Sequence, residues 1–443
     1  MDFYDIKLGD CLSMIENGAT IKQQKGSKGL PITRIETLSN NRFNRDRLGY
    51  ADIFDANKYS HYILDDKDIL MSHINILMSH INSKAFLGRS VLYKRQGNEQ
   101  IIHGMNVLRI KTKKDILDQE YAYYYFQTSF FKKNIHNIRK DAVNQSSINI
   151  SDIKDIIIQI PSLKNQKNIA TVLSNIDCKI ALNTQINDNL EATARQLYDY
   201  WFVQFDFPVE NGKPYKSSGG KMVWNKELKK EIPINWNVER LGKRCKVLLG
   251  GTPDTKDEKL WGEGYSWLNS GEVAVFPILK SERQITQAGL DSSATVLATK
   301  GSVTLSITRY LRPSILAIDA CINQSVVAIE ENEFYKKEFL YPYIKAEVPI
   351  LMSLRTGAQQ PHINKETVEN IKLLHPSNEI MDKYLRYTTP VYKEIVNLAQ
   401  ETENLTKQRD ELLPLLMNGQ VTVNYHLSLA HITPTTLAPL CTP

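Results

Sequence analysis

The chain has 443 residues, 42% of them hydrophobic, 23% charged and 9% aromatic, with a formal net charge of +6. That length exceeds one ordinary core and predicts two domains plus something extra. No apolar run approaches the roughly 20 residues that cross a bilayer, and MDFYDIKLGD lacks the basic start and apolar stretch of a signal peptide.

Five scattered cysteines (Cys11, Cys178, Cys245, Cys321, Cys441) include no CxxC and no close pair. They predict a reducing, cytoplasmic setting and argue against a disulfide framework or a structural zinc site. The basic balance permits a nucleic-acid partner without requiring one.

In chain order, a first globular module is expected over residues 1–160. Between Lys22 and Arg47 it gathers Lys22, Lys25, Lys28, Arg34, Arg42, Arg45 and Arg47 among Gly, Asn, Gln and Ser. ILMSHINILMSHIN, from Ile69 to Asn82, is a perfect tandem repeat of seven residues. An odd insertion inverts every later side chain of a strand, so one copy is expected in a strand and the other in a loop. A long helix follows within 161–207. Ile169, Val172, Ile176, Ile180, Asn183, Asn187, Leu190, Ala194, Leu197 and Trp201 step by three and four, as a coiled-coil seam does. A connector (208–236) leads to a second module (237–375). A second helix over 376–423 carries Tyr384, Tyr387, Val391, Ile395, Leu398, Thr402, Leu405, Arg409, Leu412 and Leu416 as its series. The remainder, 424–443, has neither periodicity nor charge and is expected to be disordered.

The two modules are copies of one another. QSSINISDIKDIIIQIPS (Gln145–Ser162) matches QPHINKETVENIKLLHPS (Gln360–Ser377), each pair being 215 apart (376 − 161 = 215). The offset persists through Ile180/Ile395, Asn189/Asn404 and Leu197/Leu412. Upstream, IKLGD resembles ERLGK, KDILMS resembles GSVTLS, and EYAYYYF resembles EFLYPYI. Ser72/Ser306 are 234 apart and Ser90/Ser314 are 224 apart, which places ten extra residues in the first copy.

A helix of about 37 residues makes a rod of roughly 55 Å at ~1.5 Å per residue. Half an apolar seam of that length cannot stay in water, so the two helices are expected to pair. Connectivity then makes them antiparallel, with Asn183 and Asn187 fixing the register. The predicted fold class is α+β: two tandem mixed α/β domains joined by two long antiparallel helices, a pseudo-twofold internal repeat. Two related heads held at a fixed separation suit a ligand that repeats along its length, and duplex DNA is the leading candidate. Lys and Arg would supply phosphate and guanine contacts, Asn and Gln adenine contacts.

The candidate DNA-contacting residues of the first head are Lys25, Lys28, Arg34, Arg42, Arg45, Arg47, Ser72 and His73. Those of the second are Thr252, Lys256, Asn269, Thr308, Arg309, Arg312, Gln359, Gln360 and His362. The seam and subunit-docking candidates are Ile169, Val172, Ile176, Ile180, Asn183, Asn187, Leu190, Leu197, Trp201, Val391, Ile395, Leu398, Leu405, Leu412 and Leu416.

Three stretches carry a family resemblance: IPSLKNQKNIATVLSNIDCKIALNTQINDNLEATARQLYDYWFVQFDF, INWNVERLG and GGTPDTKDEKLWGEGYSWLNSGE. With them, and with the Gln-Pro-His-Ile-Asn stretch, the chain resembles the specificity subunit of type I restriction–modification systems, to about Val423. The resemblance implies two target-recognition domains, each reading one half of a split, asymmetric DNA site. It implies helices that set the spacing and dock two methyltransferase subunits, with restriction subunits able to join. It also implies no catalysis alone: S-adenosylmethionine belongs to the modification partner, ATP and Mg to the restriction partner.

Enzymatic alternatives lack their motifs. There is no P-loop, no Pro-Pro pair for a methyltransferase motif, and no HExxH or HxxxH spacing. TPDTKDEK only superficially resembles a nuclease motif, its carboxylates lying too close together. The remaining alternatives are a coiled-coil scaffold that binds only proteins, and a specificity subunit serving a fused methyltransferase–nuclease.

Overall fold

The computed structural model describes residues 2–24, 28–39, 42–76, 87–142, 145–357, 359 and 361–423. The chain forms two compact units, one built from Met1–Ile180 with Asn404–Pro443, the other from Ala181–Glu403.

The first unit centres on an antiparallel sheet in the order Ser90–Leu92, Ile69–Ser72, Val107–Thr112, Leu12–Asn17. All four residues of Ile69–Ser72 are buried. Its sequence therefore reads as a continuous apolar run, the pattern of a strand covered on both faces. Two helices pack on the sheet, Gln119–Gln127 and Ser129–Asn137. Asp118 and Thr128 start them by accepting from the backbone N–H groups of Tyr121 (2.9 Å) and Phe131 (3.2 Å). Phe126 stacks on Phe131 with centroids 4.4 Å apart, inside a core completed by Tyr121, Tyr125, Ile169, Leu173, Leu416 and Met417. Phe3–Lys7 pairs antiparallel with Ile157–Pro161, tying the start of the module to the strand that feeds the long helix.

The second unit repeats this plan. Val247–Leu249, Val326–Ile329, Val303–Ser306 and Pro313–Ile315 form a sheet of the same strand order and direction. Asn237–Arg240 pairs with Lys372–His375, as Phe3–Lys7 does with its own partner. The helix Lys337–Ser353 replaces the two short helices of the first unit. A further sheet, Arg283–Ile285, Trp261–Leu268, Ala320–Ile322, Val296–Ala298, has a shorter counterpart in the first unit, where Gly49–Ala51 pairs antiparallel with Leu30–Ile32, Ile32 bridges in parallel to Ile102, and Ile102 bridges antiparallel to Ile63. The expected connector is well packed: Phe207 stacks between Tyr215 (4.7 Å) and Trp236 (5.3 Å), and Phe205, Ile232 and Trp236 join the core.

Strand register refines the length difference between the copies. Met71 faces Ser90 and Leu305 faces Pro313. The first hairpin is thus eleven residues longer (90 − 71 = 19 against 313 − 305 = 8), one more than the sequence alignment gives. Of the tandem repeat, the first copy supplies Ile69–Ser72 and opens the strand Ile74–Ile76. All but the first residue of the second copy lies outside the described residues, as does the tail from 424.

The long helices run Leu163–Tyr198, prolonged by a π turn at Asp199–Val203, and Asn378–Met417. The second one passes through Pro414 for three more residues. Neither helix forms a domain of its own, because each is divided between the units and packs into their cores.

Candidate nucleic-acid interface

In the second unit, the hairpin tip after Val303–Ser306 meets the segment after Lys337–Ser353. Thr308 and Thr356 both bridge to His362, Arg309 N–H donates to Pro361 O (2.9 Å), and Ile307 O accepts from Ile363 N–H (3.0 Å). Ile307 N–H in turn donates to Ser325 O (2.9 Å), placing Gln324 and its hydrogen-bonded partner Thr252 beside this edge. Ser306, only 2% exposed, organises the tip: its hydroxyl donates to Tyr310 O and accepts from Arg312 N–H (3.2 Å).

Arg309 adopts a left-handed conformation, φ 56°, which costs a non-glycine residue energy and collects at functional positions. Tyr310 is 64% exposed, and the Arg312 guanidinium lies 5.3 Å from its ring centroid. Thus Thr252, Thr308, Arg309, Arg312 and His362 fall on one edge, with the exposed Gln359 in the same closing segment. Lys256 sits in an exposed turn closed by Asp254, and Asn269 caps the turn at Gly271 and Glu272. Gln360 lies outside the described residues.

The first unit builds the same edge with other side chains. Ile148 N–H donates to His73 O (2.9 Å), as Ile363 does to Ile307. Ile74–Ile76 pairs with Gln145–Ser147, which pairs with Lys140–Ala142, where the second unit has single bridges. The expectation that Ser72 and His73 present side chains to DNA is corrected: they are 1% and 6% exposed, Ser72 ending a strand covered on both faces and His73 following it directly. Burial lowers the His73 pKa to about 4 and so keeps the ring neutral.

Arg45 grips Glu99, donates to Lys94 O (2.8 Å) and lies over the rings of Phe43 (5.3 Å) and Tyr93 (5.9 Å). Arg34 Nε binds the Gln23 side chain. Arg45 is thereby tied into the fold, while the Arg34 contact lies at the exposed surface. Lys28, Arg42 and Arg47 are exposed, and Lys25 lies outside the described residues.

Sequence reasoning missed Gln324 and Arg355. At the constant offset of 215 Arg355 aligns with Lys140, and only the ends of the helices Ser129–Asn137 and Lys337–Ser353 place it opposite Arg139.

Along the long helices, Asn183 Nδ2 donates to Glu401 Oε2 (2.8 Å) and Asn187 Nδ2 to Ile395 O (3.2 Å), while Trp201 packs on Tyr384 (5.6 Å). Rising numbers on one helix meet falling numbers on the other, so they run antiparallel. Ile169, Ile180, Asn183, Trp201, Ile395, Leu398 and Leu416 are buried. Val172, Ile176, Asn187, Leu190, Leu197, Val391, Leu405 and Leu412 are half-buried. The expected series fails at Tyr387, 61% exposed, because the helix turns Tyr384, Thr388 and Tyr392 into the core instead. In the first unit, Arg409 Nη1 donates to Asp177 Oδ1 (3.0 Å) and the buried Tyr124 hydroxyl donates to Asp177 Oδ2 (2.7 Å). Burial, reinforced by Asp177, drives the Tyr124 pKa far above the ordinary phenol value.

Among the described residues, no group of His, Cys, Asp and Glu is placed to hold a metal, and no helix is long and apolar enough to cross a membrane.

Two copies of one sheet-and-edge module, each joined to a stretch of paired helix, define the class. The model of the type I restriction modification DNA specificity domain matches residues 2–192 and 233–407. The chain belongs to that family and carries two of its domains in tandem. It is 30% identical over 426 residues to the putative type I restriction enzyme MjaX specificity subunit of Methanocaldococcus jannaschii, covering 94% of this chain and 93% of that one. The HindI specificity subunit of Haemophilus influenzae is 23% identical, over 67% of this chain and 75% of that one. The crystal structure of the type I S subunit from M. genitalium shares the fold: TM-score 0.56, 15% identity, 94% and 96% of the two chains covered.

Proposed function

We propose that this chain is the DNA-specificity subunit of a type I restriction–modification complex. Each head reads one half of a split, asymmetric site. The helices set the gap between the halves and dock two methyltransferase subunits, and the chain itself contributes recognition without catalysis.

One observation carries this reading. Both units build the same four-stranded sheet and close the same edge with the same backbone hydrogen bond, yet the hairpins that meet it differ in sequence, His73-Ile74-Asn75 against Ile307-Thr308-Arg309. A shared frame with divergent edges is what two readers of different sequences require. In the second head, Arg309, Arg312, Tyr310, Gln324 and Gln359 offer guanine-, phosphate- and adenine-type contacts.

The test is a methylome. The chain is co-expressed with its methyltransferase in a methylation-free host, and the DNA is sequenced for modified adenines. One split motif with unlike halves and a fixed gap is expected. An active methyltransferase that modifies nothing in the presence of this chain would overturn the proposal.

A further inference from the structure

Arg355 stands at the root of the second head's edge. Its Nη1 donates to the carbonyl of Arg309 at 2.6 Å and its Nε to the carbonyl of Met352 at 3.0 Å. One planar fork therefore joins the end of the Lys337–Ser353 helix to the left-handed residue of the hairpin tip. Arg309 is pinned on its other side by the bond from its own N–H to Pro361 O (2.9 Å). Among the described residues, none of Arg309, Arg312 and Arg355 has a carboxylate within ion-pair distance. Three like charges on one edge repel one another, an arrangement that becomes favourable when a polyanion lies across them. The first unit differs: its corresponding Arg139 is neutralised by Asp141 at 2.7 Å.

We propose that Arg355 is a positioning residue for sequence reading by the second head. By clamping the Arg309 carbonyl it fixes the strained turn that presents Arg309 and Tyr310 to the bases. Arg355 itself makes no base contact. This rests on the reading of that edge as the DNA-contacting one. A guanidinium is required because two carbonyls must be met at once by a rigid fork. A lysine keeps the charge but offers a single flexible donor group.

The experiment is a methylome of the assembled complex carrying R355A, R355K, R309A and R355A/R309A, with half-site fidelity scored separately and the melting temperature of each variant recorded. R355A and R355K are each expected to relax discrimination in the second half-site by about tenfold or more. The first half-site should keep its fidelity, and the double variant should be no worse than R309A, because both changes disable one element. Wild-type fidelity in R355K, or additive losses in the double variant, would show that Arg355 acts by charge or contacts DNA directly, and would overturn the proposal. Unchanged fidelity in R309A would remove this edge from DNA reading altogether, and the positioning role with it. If R355A fails to assemble, R355K carries the test.

Discussion

Replacing Asp177 by alanine is expected to destabilise the first unit by about 2–3 kcal/mol. Asp177 accepts from the Tyr124 hydroxyl at 2.7 Å and from Arg409 at 3.0 Å, so its loss strands a buried phenol and takes one of two carboxylates from a half-buried guanidinium, which keeps the exposed Asp410. A hydrogen bond to a charged group contributes about 1.5–3 kcal/mol, and breaking a fully buried pair costs about 3–5. The Asp177 and Arg409 side chains are 26% and 23% exposed, which screens the pair and favours the lower figure. All five tryptophans (Trp201, Trp224, Trp236, Trp261, Trp267) belong to the second unit, so their fluorescence follows that unit while far-UV circular dichroism follows both. In urea, at a slope of about 2 kcal/mol per molar, the first unit's transition should move down by about 1–1.5 M. A shift below about 0.3 M would refute the reasoning. The triple replacement Y124F/D177L/R409M, which removes the three linked groups and leaves only the solvent-exposed Asp410, should return to within about 1 kcal/mol of wild type.

Acidification should weaken the first unit between pH 6.5 and 4. Burial holds His73 and His103 at about 4 when folded, so over that window the unfolded chain binds protons that the folded one refuses. Each histidine contributes up to about 3 kcal/mol at 1.36 kcal/mol per pKa unit, and H73Q/H103Q should flatten the pH dependence measured by urea titration. Arg312→Ala should reduce the slope of log K against log salt by about 0.9 if it meets one phosphate, as read by DNA-binding titrations at several salt concentrations. Deleting one seven-residue copy from the tandem repeat leaves ILMSHIN to supply Ile69–Ser72 and the start of the next strand. The melting temperature of the first unit should therefore hold within a few degrees, whatever happens to the half-site that it reads.

The duplication was legible because a constant offset needs no tertiary information, and the paired ladders at Ile157 and Lys372 bear it out. The division of the helices was not legible. A seam at three- and four-residue steps cannot say whether its partner is another helix or a sheet, and here Ile169 and Trp201 serve head cores while Asn183 faces the second helix. Arg45 looks free in sequence because its partner, Glu99, lies 54 residues away. Arg355 escaped notice because its role is to hold a backbone carbonyl, for which sequence has no motif.

The discontinuity of the first unit has a consequence for biosynthesis. Everything up to Ile180 leaves the ribosome early, yet Leu416 and Met417, which seal its core, come last. At roughly 5–20 residues per second, the 224 positions from Ile180 to Asn404 take about 11–45 s to translate. The second unit is contiguous and closes as soon as Glu403 emerges, so the domain begun first is finished last. Through that interval the nascent chain carries an open apolar face around Ile169 and Leu173, a surface for a holding chaperone. A stop codon after Glu403 would leave that face open permanently.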